Sequence, residues 1–316
     1  MPVSHPATKA RPADPVETVA PLLGAHMSIG GGPVKALERG RSIGCSAIQV
    51  FVKNNLQWFA GPFPSKDADL FLRFADRPTC VFGHTGYLIN LGTNKPGFLE
   101  KSQHSLTGEL VRADQLKLPF LVLHPGAHLG DGEENALRRV ASSLDAVLRA
   151  RPPESCGIAL EVTAGQGSCL GYRFEHLAEI IARSEFPERL HVCLDTAHLF
   201  AAGYDISFAA GFWDVMKSFD KIVGLHRLAA WHLNDSKTAL QSRVDRHEHI
   251  GKGKIGLAPF REIMNAPEFR GIPKVLETPK QAHLKEDVQN LATLRRLLVP
   301  AQRRPVQHRT PPPQPG

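Results

Sequence analysis

The chain has 316 residues, with 38 lysines and arginines against 31 acidic residues, which gives a formal net charge of +7. Hydrophobic residues make up 42% and charged residues 22%, and this globular composition excludes a disordered chain. Five dispersed cysteines without a C-x-x-C pair exclude a disulfide framework and a thiolate zinc knot. The sequence predicts neither a membrane span nor a secretory signal. We therefore expect a cytoplasmic protein, with organellar or nuclear targeting left open.

The two ends of the chain differ in composition from the rest. Residues 1–20 carry four prolines, residues 300–316 are rich in proline and arginine, and neither segment shows an apolar period. Both are predicted to be flexible tails that flank one folded domain over residues 21–299. The C-terminal tail carries +3 of the net +7 charge, so no broad basic face is implied for the folded domain.

Between the tails, short apolar and β-branched runs alternate with segments of helical period. Apolar stripes predict helices over 133–150, 174–184 and 284–298, and Pro33 suits the first turn of another helix. Eight strands alternating with helices predict a single (β/α)₈ TIM barrel, and an open doubly wound sheet is the competing fold. The predicted strands are 22–27, 47–52, 80–84, 120–124, 157–162, 190–195, 229–233 and 274–278.

Polar side chains recur where the predicted strands end, which in a barrel is the edge that carries the chemistry. Taken singly, each of these polar residues could have a purely structural role, as a hydrogen-bonded histidine, a helix cap or a carboxylate paired with an arginine. Together, four carboxylates and five imidazoles at one barrel mouth would be costly to bury without cations. Nitrogen and oxygen ligands in this mixture suit zinc or manganese. The residues are His84, His124, Glu161, Asp195, His198, His232, Asp245, His247 and Glu277.

Eight short motifs surround these positions in order along the chain. They are GAHMS at 24–28, YLINLG at 87–92, HPGAH at 124–128, EVTAGQG at 161–167, DTAH at 195–198, HLNDSK at 232–237, SRVDRH at 242–247 and LET at 276–278. Together these motifs resemble the endonuclease IV family, and the resemblance runs from about residue 22 to residue 298.

The resemblance implies a zinc-dependent apurinic/apyrimidinic endonuclease of base excision DNA repair. Its substrate would be double-stranded DNA with an abasic site, cut on the 5′ side to leave a 3′-hydroxyl and a 5′-deoxyribose phosphate. Removal of 3′-blocking groups is a further activity of such enzymes, and no membrane or obligate protein partner is expected.

The same resemblance implies three zinc ions per chain, with manganese as an alternative at one site. Glu161 would bridge the first two ions and orient the attacking hydroxide. The implied ligand sets are His84, His124 and Glu161 for the first ion, Asp195, His232 and Glu277 with the bridging Glu161 for the second, and His198, Asp245 and His247 for the third.

The implied DNA contacts come from loops at the barrel mouth. Tyr87 and Leu88 match side chains that the family inserts into the duplex, although plain packing at the barrel rim is the alternative. Leu56 stands where the family commonly has an arginine, so an apolar wedge and a flatter salt dependence are expected. Candidate phosphate contacts are Lys53, Arg243 and Arg246.

A second departure from the family lies beside the bridging carboxylate. Val162 stands where the family often has an asparagine, which would remove one hydrogen bond behind the metal ligands.

Two other functional classes compete with the nuclease. A metal-dependent sugar isomerase or epimerase on the same barrel also places acidic residues and histidine around one or two divalent ions. The nuclease is distinguished from such an enzyme by the third set, which contains His198, Asp245 and His247, together with Tyr87 and Lys53. A noncatalytic DNA-binding module, in turn, would not need nine metal-type ligands.

Overall fold

Eight parallel strands close into a barrel in the computed structural model, which describes residues 20–281 and 283–299. The strands follow one another around the barrel in chain order, and the last pairs with the first, so the predicted TIM barrel is confirmed. Apart from residue 20, the predicted tails lie outside the described residues. The strands are β1 (Leu23–Met27), β2 (Ala47–Phe51), β3 (Cys80–His84), β4 (Phe120–Leu123), β5 (Gly157–Glu161), β6 (Leu190–Asp195), β7 (Leu228–His232), the hairpin strands β8 (Asp235–Ser236) and β9 (His247–Glu248), and the closing strand β10 (Lys274–Leu276).

Helices surround the barrel because most of them carry one apolar stripe that packs on the strands. In the fourth helix, for example, Leu137, Val140 and Leu144 are buried at spacings of three and four residues. No helix in the described ranges combines the length and the apolar character needed to cross a membrane. The helices are α1 (Pro33–Ser42), α2 (Ser65–Leu72), α3 (Pro96–Gln115), α4 (Glu133–Arg149), α5 (Phe174–Arg183), α6 (Thr196–Ala202), α7 (Ala209–Ile222), α8 (Ala258–Asn265) and α9 (Lys285–Arg296).

The strands bury both faces, as parallel strands in a barrel must. Outward-facing residues join the large core beneath the helices, and inward-facing residues form a smaller apolar cluster inside the barrel. Gly24 allows β1 and β2 to pack closely, since a Cβ there would lie 1.7 Å from the carbonyl oxygen of Ala47. The inner cluster is Ala47, Phe82, Phe120, Val122, Ala159, Cys193, Ala230 and Val275.

Candidate metal centre at the barrel mouth

Six of the predicted ligands form the next inward-facing layer above the apolar cluster. Side chains alternate between the two faces of a strand, so a residue two positions further along points into the barrel again. Each of the six follows a member of the inner cluster by this spacing, at or just beyond the carboxyl end of its strand. The pairs are Phe82 and His84, Val122 and His124, Ala159 and Glu161, Cys193 and Asp195, Ala230 and His232, and Val275 and Glu277.

The other three predicted ligands come from elements that follow the strands. His198 lies in the first turn of α6, and Asp195 caps this helix by accepting a hydrogen bond from the His198 backbone N–H at 2.9 Å. Asp245 and His247 lie at the end of the loop between β8 and β9 and at the start of β9. The structure therefore brings all nine predicted side chains to one mouth.

Glu161 lies at the centre of the cluster and is completely buried. Its Oε2 atom is 3.1 Å from Nε2 of His84 and 3.0 Å from Nε2 of His124. Its Oε1 atom is 2.9 Å from Nδ1 of His232 and 3.2 Å from Nδ1 of His198. Because its two oxygens face different histidines, this carboxylate is placed to bridge two cations.

Three groups of ligand atoms lie within 4.8 Å of one another. Two ligands held at about 2.1 Å by one tetrahedral zinc ion would be about 3.4 Å apart, which is close to the observed separations. Asp195 belongs to two groups, whereas Asp245 lies 3.2 Å from Nε2 of both His198 and His247. The groups are His84, His124 and Glu161, then Glu161, Asp195, His232 and Glu277, and then Asp195, His198 and His247.

Backbone carbonyls fix the orientation of three ligand rings. The Nδ1 atom of His84 lies 2.7 Å from the Thr85 oxygen, and that of His198 lies 2.9 Å from the Val162 oxygen. Nδ1 of His247 is 3.2 Å from the Glu277 oxygen. In each ring the Nε2 atom is thereby left facing the cluster.

Two of these nitrogens test whether the cluster fits a metal ion. The buried Nε2 atoms of His198 and His247 each lie 3.2 Å from an Asp245 carboxylate oxygen, but neither has hydrogen-bond geometry to it or to another described residue. Buried imidazole nitrogens that face carboxylate oxygens without a hydrogen bond between them fit a bound divalent cation. The carbonyl of Val162 holds His198 whatever the side chain, so the departure at Val162 leaves this contact in place.

Two amide side chains behind the ligands were not predicted as site residues. Gln49 lies between two ligands, with Oε1 2.7 Å from Nε2 of His232 and Nε2 2.5 Å from Oε1 of Glu277. Asn234 donates to Oδ2 of Asp195 at 2.6 Å and accepts from the Glu277 backbone at 2.8 Å. One sequence pattern could have identified Gln49 as a site residue: it is a polar residue two positions after Ala47, inside an otherwise apolar strand.

The charges of the cluster compensate one another. Burial alone would raise the pKa of Glu161, but the neighbouring His232 and His124 lower this pKa well below its usual range. Burial would lower the pKa of His198, but Asp195 and Asp245 raise it well above its usual range. Without a metal, protons on the imidazoles therefore balance the carboxylates, and divalent cations would take the place of these protons.

The cluster is open to solvent on one side. The side chains of His124 and Asp245 are 35% and 42% exposed, whereas those of Glu161 and His198 are almost completely buried. A cavity of about 230 Å³ adjoins this side and is lined by Tyr87, His124, His198 and Asp245 among others. A larger cavity of about 740 Å³ lies on the β1 and β2 side, where His26, Phe51 and Lys280 line it.

Two predicted DNA contacts are exposed apolar side chains at the rim. Tyr87 is 57% exposed, and its ring centroid lies 5.8 Å from that of His84 and 6.4 Å from that of His124. Leu56 is 71% exposed in the loop after β2, whereas Leu88 is half-buried. Tyr87, beside the cluster, and Leu56, in the loop after β2, are therefore both accessible to a ligand at the rim.

The three predicted phosphate contacts differ in position. Arg246 is exposed and donates to the Asp245 carbonyl oxygen at 2.6 Å, beside the cluster. Arg243 is exposed, with its guanidinium carbon 4.4 Å from the centroid of the Tyr172 ring. Lys53, by contrast, is 4% exposed, and its ammonium lies 2.9 Å from Glu109. Burial and this ion pair do not fit a direct phosphate contact by Lys53.

Sequence comparisons relate the chain to named proteins. A family model described as xylose isomerase-like TIM barrel matches residues 37–297. A protein named probable endonuclease 4 from Geobacter sulfurreducens is 47% identical over 293 residues, or 92% of this chain and 98% of the relative. A protein of the same name from Chloroflexus aurantiacus is 46% identical over 284 residues, or 89% of this chain and 100% of the relative.

Structural comparisons agree with this relationship. The crystal structure of endonuclease IV from Thermus thermophilus aligns with a TM-score of 0.77 and 33% identity, covering 88% of this chain and 98% of that chain. A D-tagatose 3-epimerase-like protein aligns over 87% of this chain and 96% of its own with a TM-score of 0.66, but at 16% identity it shares the fold alone. The chain therefore belongs to the endonuclease IV family of xylose isomerase-like TIM barrels.

Proposed function

We propose that this protein is a metal-dependent endonuclease of base excision repair. It would hydrolyse the phosphodiester on the 5′ side of an abasic site in double-stranded DNA, leaving a 3′-hydroxyl and a 5′-deoxyribose phosphate. The observation that carries the proposal is the convergence of nine nitrogen and oxygen ligand side chains at one open barrel mouth. Relatives named probable endonuclease 4 support DNA as the substrate.

Three zinc ions per chain are the cofactor that we propose, with manganese as an alternative at one site. When bound, such ions would lower the pKa of a water molecule, and they would also place positive charge beside the phosphodiester. The residues that would hold them are His84, His124 and Glu161 for the first, Glu161, Asp195, His232 and Glu277 for the second, and His198, Asp245 and His247 for the third.

The protein's own side chains would orient the attacking hydroxide and contact the substrate. Glu161, with its two oxygens held between two pairs of histidines, has the fixed position needed to orient an attacking hydroxide. Tyr87 lines the cavity beside the cluster, where its hydroxyl can donate to a substrate oxygen. Arg246 supplies a permanent positive charge at the edge of the cluster.

Recognition of the damage would use the exposed side chains at the rim. Tyr87 and Leu56 offer apolar surface that can intrude between base steps. An abasic nucleotide has no base pair to break, so moving it out of the duplex costs less than moving an intact nucleotide. Leu88 would support this contact from a half-buried position, and Arg243 would add a phosphate contact.

The test is cleavage of a labelled duplex that contains one tetrahydrofuran abasic analogue, together with a count of bound zinc. Asp245→Ala should lose one ion and at least about 100-fold in rate, because it removes a ligand of the third set. Asp214→Ala is the matched control, since this carboxylate is 74% exposed on α7. If chelated protein, or Asp245→Ala, cuts as fast as the untreated enzyme, the proposal is wrong. Conversion of a ketohexose without DNA cleavage would favour the epimerase instead.

The biological setting follows from the same relatives. They are bacterial proteins, so we propose action on chromosomal DNA in the cytoplasm without an obligate protein partner. Removal of 3′-blocking groups would use the same cluster, and a nicked duplex with a 3′-phosphoglycolate end tests that activity separately.

A further inference from the structure

One face of α3 holds the loop that carries Leu56. We call residues 52–61 the rim loop. Ser105, Glu109 and Arg112 lie four and three residues apart on α3, so they share one helix face. All three side chains are buried and bond to the rim loop.

Arg112 and Ser105 anchor the rim loop at its ends and near its middle. Nε of Arg112 donates to the Val52 carbonyl oxygen at 2.5 Å, and Nη1 donates to the Gly61 carbonyl oxygen. The Ser105 hydroxyl donates to the Trp58 carbonyl oxygen at 2.6 Å. These bonds tie the backbone on both sides of Leu56 to a single rigid helix.

Glu109 connects the rim loop with the loop after β3. Its Oε1 atom lies 2.9 Å from the Lys53 ammonium, and its Oε2 atom accepts from the Gly86 backbone N–H at 2.9 Å. Lys53 also donates to the Gln57 carbonyl oxygen at 2.6 Å and so closes the rim loop around Leu56. One buried carboxylate therefore holds both the loop of Leu56 and the residue directly before Tyr87.

Gly86 is packed against this ion pair. A Cβ at Gly86 would lie 2.7 Å from the Lys53 ammonium and 3.2 Å from the Asn55 carbonyl oxygen. The two loops are thus in direct contact, with no room for a side chain or a water molecule between them at this point.

We propose that the Glu109–Lys53 ion pair is a positioning device that fixes the distance between Leu56 and Tyr87, so that both side chains meet the duplex together. Lys53 then acts on DNA through the loop geometry instead of touching a phosphate. A preorganised pair of loops loses less conformational entropy on binding than two independent loops. This inference rests on the proposed function, because it assumes that the rim binds DNA.

The test separates positioning from stability with the double variant Lys53→Met/Glu109→Gln. Either single variant leaves a buried, uncompensated charge, whereas the double variant removes both charges and keeps an acceptor for Gly86. In the double variant we expect the Tm and bound zinc of the wild type. We also expect Kd for the abasic duplex to rise about tenfold, because two unlinked loops lose more conformational entropy on binding. Kd is measured by fluorescence anisotropy on the zinc-loaded protein, with a duplex whose scissile bond is replaced by an uncleavable analogue. KM in the cleavage assay should rise with it.

A second variant and a matched control complete the experiment. Gly86→Ala pushes against the Lys53 ammonium from the other loop and should raise Kd in the same way. Arg151→Met breaks a partly buried ion pair with Asp114 and should lower Tm without changing Kd. Arg151 lies beyond the carboxyl end of α4 and so away from the mouth.

The possible outcomes are distinct. If the double variant and Gly86→Ala bind the duplex as tightly as the wild type, the positioning role is overturned. The role is also overturned if Kd follows Tm across all the variants, Arg151→Met included. A wild-type protein that binds abasic duplex without cutting it would refute the proposed function and leave this binding test intact.

Discussion

Gln49 offers the sharpest test of how the second metal set is held. This side chain is completely buried in β2, and its amide group bonds to His232 at 2.7 Å and to Glu277 at 2.5 Å. Gln49→Leu keeps a side chain of similar volume and removes both hydrogen bonds to the ligands, together with a third, of 2.9 Å, between Gln49 Nε2 and Nδ1 of His26. The His232 ring and the Glu277 carboxylate would then be free to turn away from the position in which they face Glu161.

The expected size of the effect follows from these two bonds. Each joins the amide to a group that would ligate a metal, and a hydrogen bond of this kind contributes about 1.5 kcal/mol. Two of them amount to about 3 kcal/mol, or up to about 100-fold in affinity for the ion, since about 1.4 kcal/mol corresponds to tenfold. Residues behind metal ligands generally change affinity by about 10- to 100-fold.

The assay is dialysis against zinc buffers of defined free concentration, followed by a metal count per chain. The variant should bind one of its ions with a midpoint shifted by at least about tenfold, while its other two ions bind as in the wild type. Gln115→Leu is the matched control, because Gln115 makes two hydrogen bonds to the Phe63 backbone, away from the cluster. Identical zinc titrations for Gln49→Leu and the wild type would refute the reasoning.

Three further predictions concern the rim and the barrel. Leu56→Arg should steepen the plot of log affinity for abasic duplex against log salt by about 0.9, since it adds one cation at the rim. Gly24→Ala should lower the free energy of unfolding in urea by about 3 kcal/mol or more, because its Cβ would collide with the Ala47 oxygen at 1.7 Å. Burial lowers the pKa of Lys274 to about 8, so between pH 8 and about 10.5 the unfolded chain holds a proton that the folded chain has lost. Below pH 8, Lys274 therefore lowers the free energy of unfolding by its full amount. From pH 7 to pH 10, the free energy of unfolding of the wild type should rise by about 2 kcal/mol relative to that of Lys274→Met.

Each of these predictions has a control of the same residue type. Leu70→Arg, on the outer helix α2, should leave the salt dependence of duplex binding unchanged. Gly61→Ala should unfold like the wild type, since no atom lies within 4 Å of its added Cβ. Lys217→Met changes an exposed ammonium and should give a stability difference that does not vary with pH. A variant that behaves like its control would contradict the corresponding prediction.

The barrel and the ligand layer were predictable because they depend on short-range patterns. An apolar run with a polar residue at its end needs only the alternation of a strand to place that residue above the core, as at His84 after Phe82. The predicted strand 80–84 and the observed β3 have the same bounds. The predicted helix over 174–184 ends one residue later than α5.

The supporting contacts were not predictable because their partners are distant in sequence. Lys53 in a polar loop is typical of a solvated cation, and only the fold brings Glu109 to its ammonium. Gln49 acquires a role only when β2 lies opposite β7 and β10, whose ligands it orients. Asp195 was predicted in one ligand set, whereas its position between two groups depends on where the hairpin places His247.

The closing strand has a consequence for the protein while it is being made. β10 pairs with both β1 and β7, and it is followed at once by Glu277. A chain still on the ribosome, with this strand inside the exit tunnel, can neither close the barrel nor complete the second ligand set. DNA cleavage would therefore begin only after nearly the whole domain has been synthesised. An incompletely folded chain would not cut nearby nucleic acid.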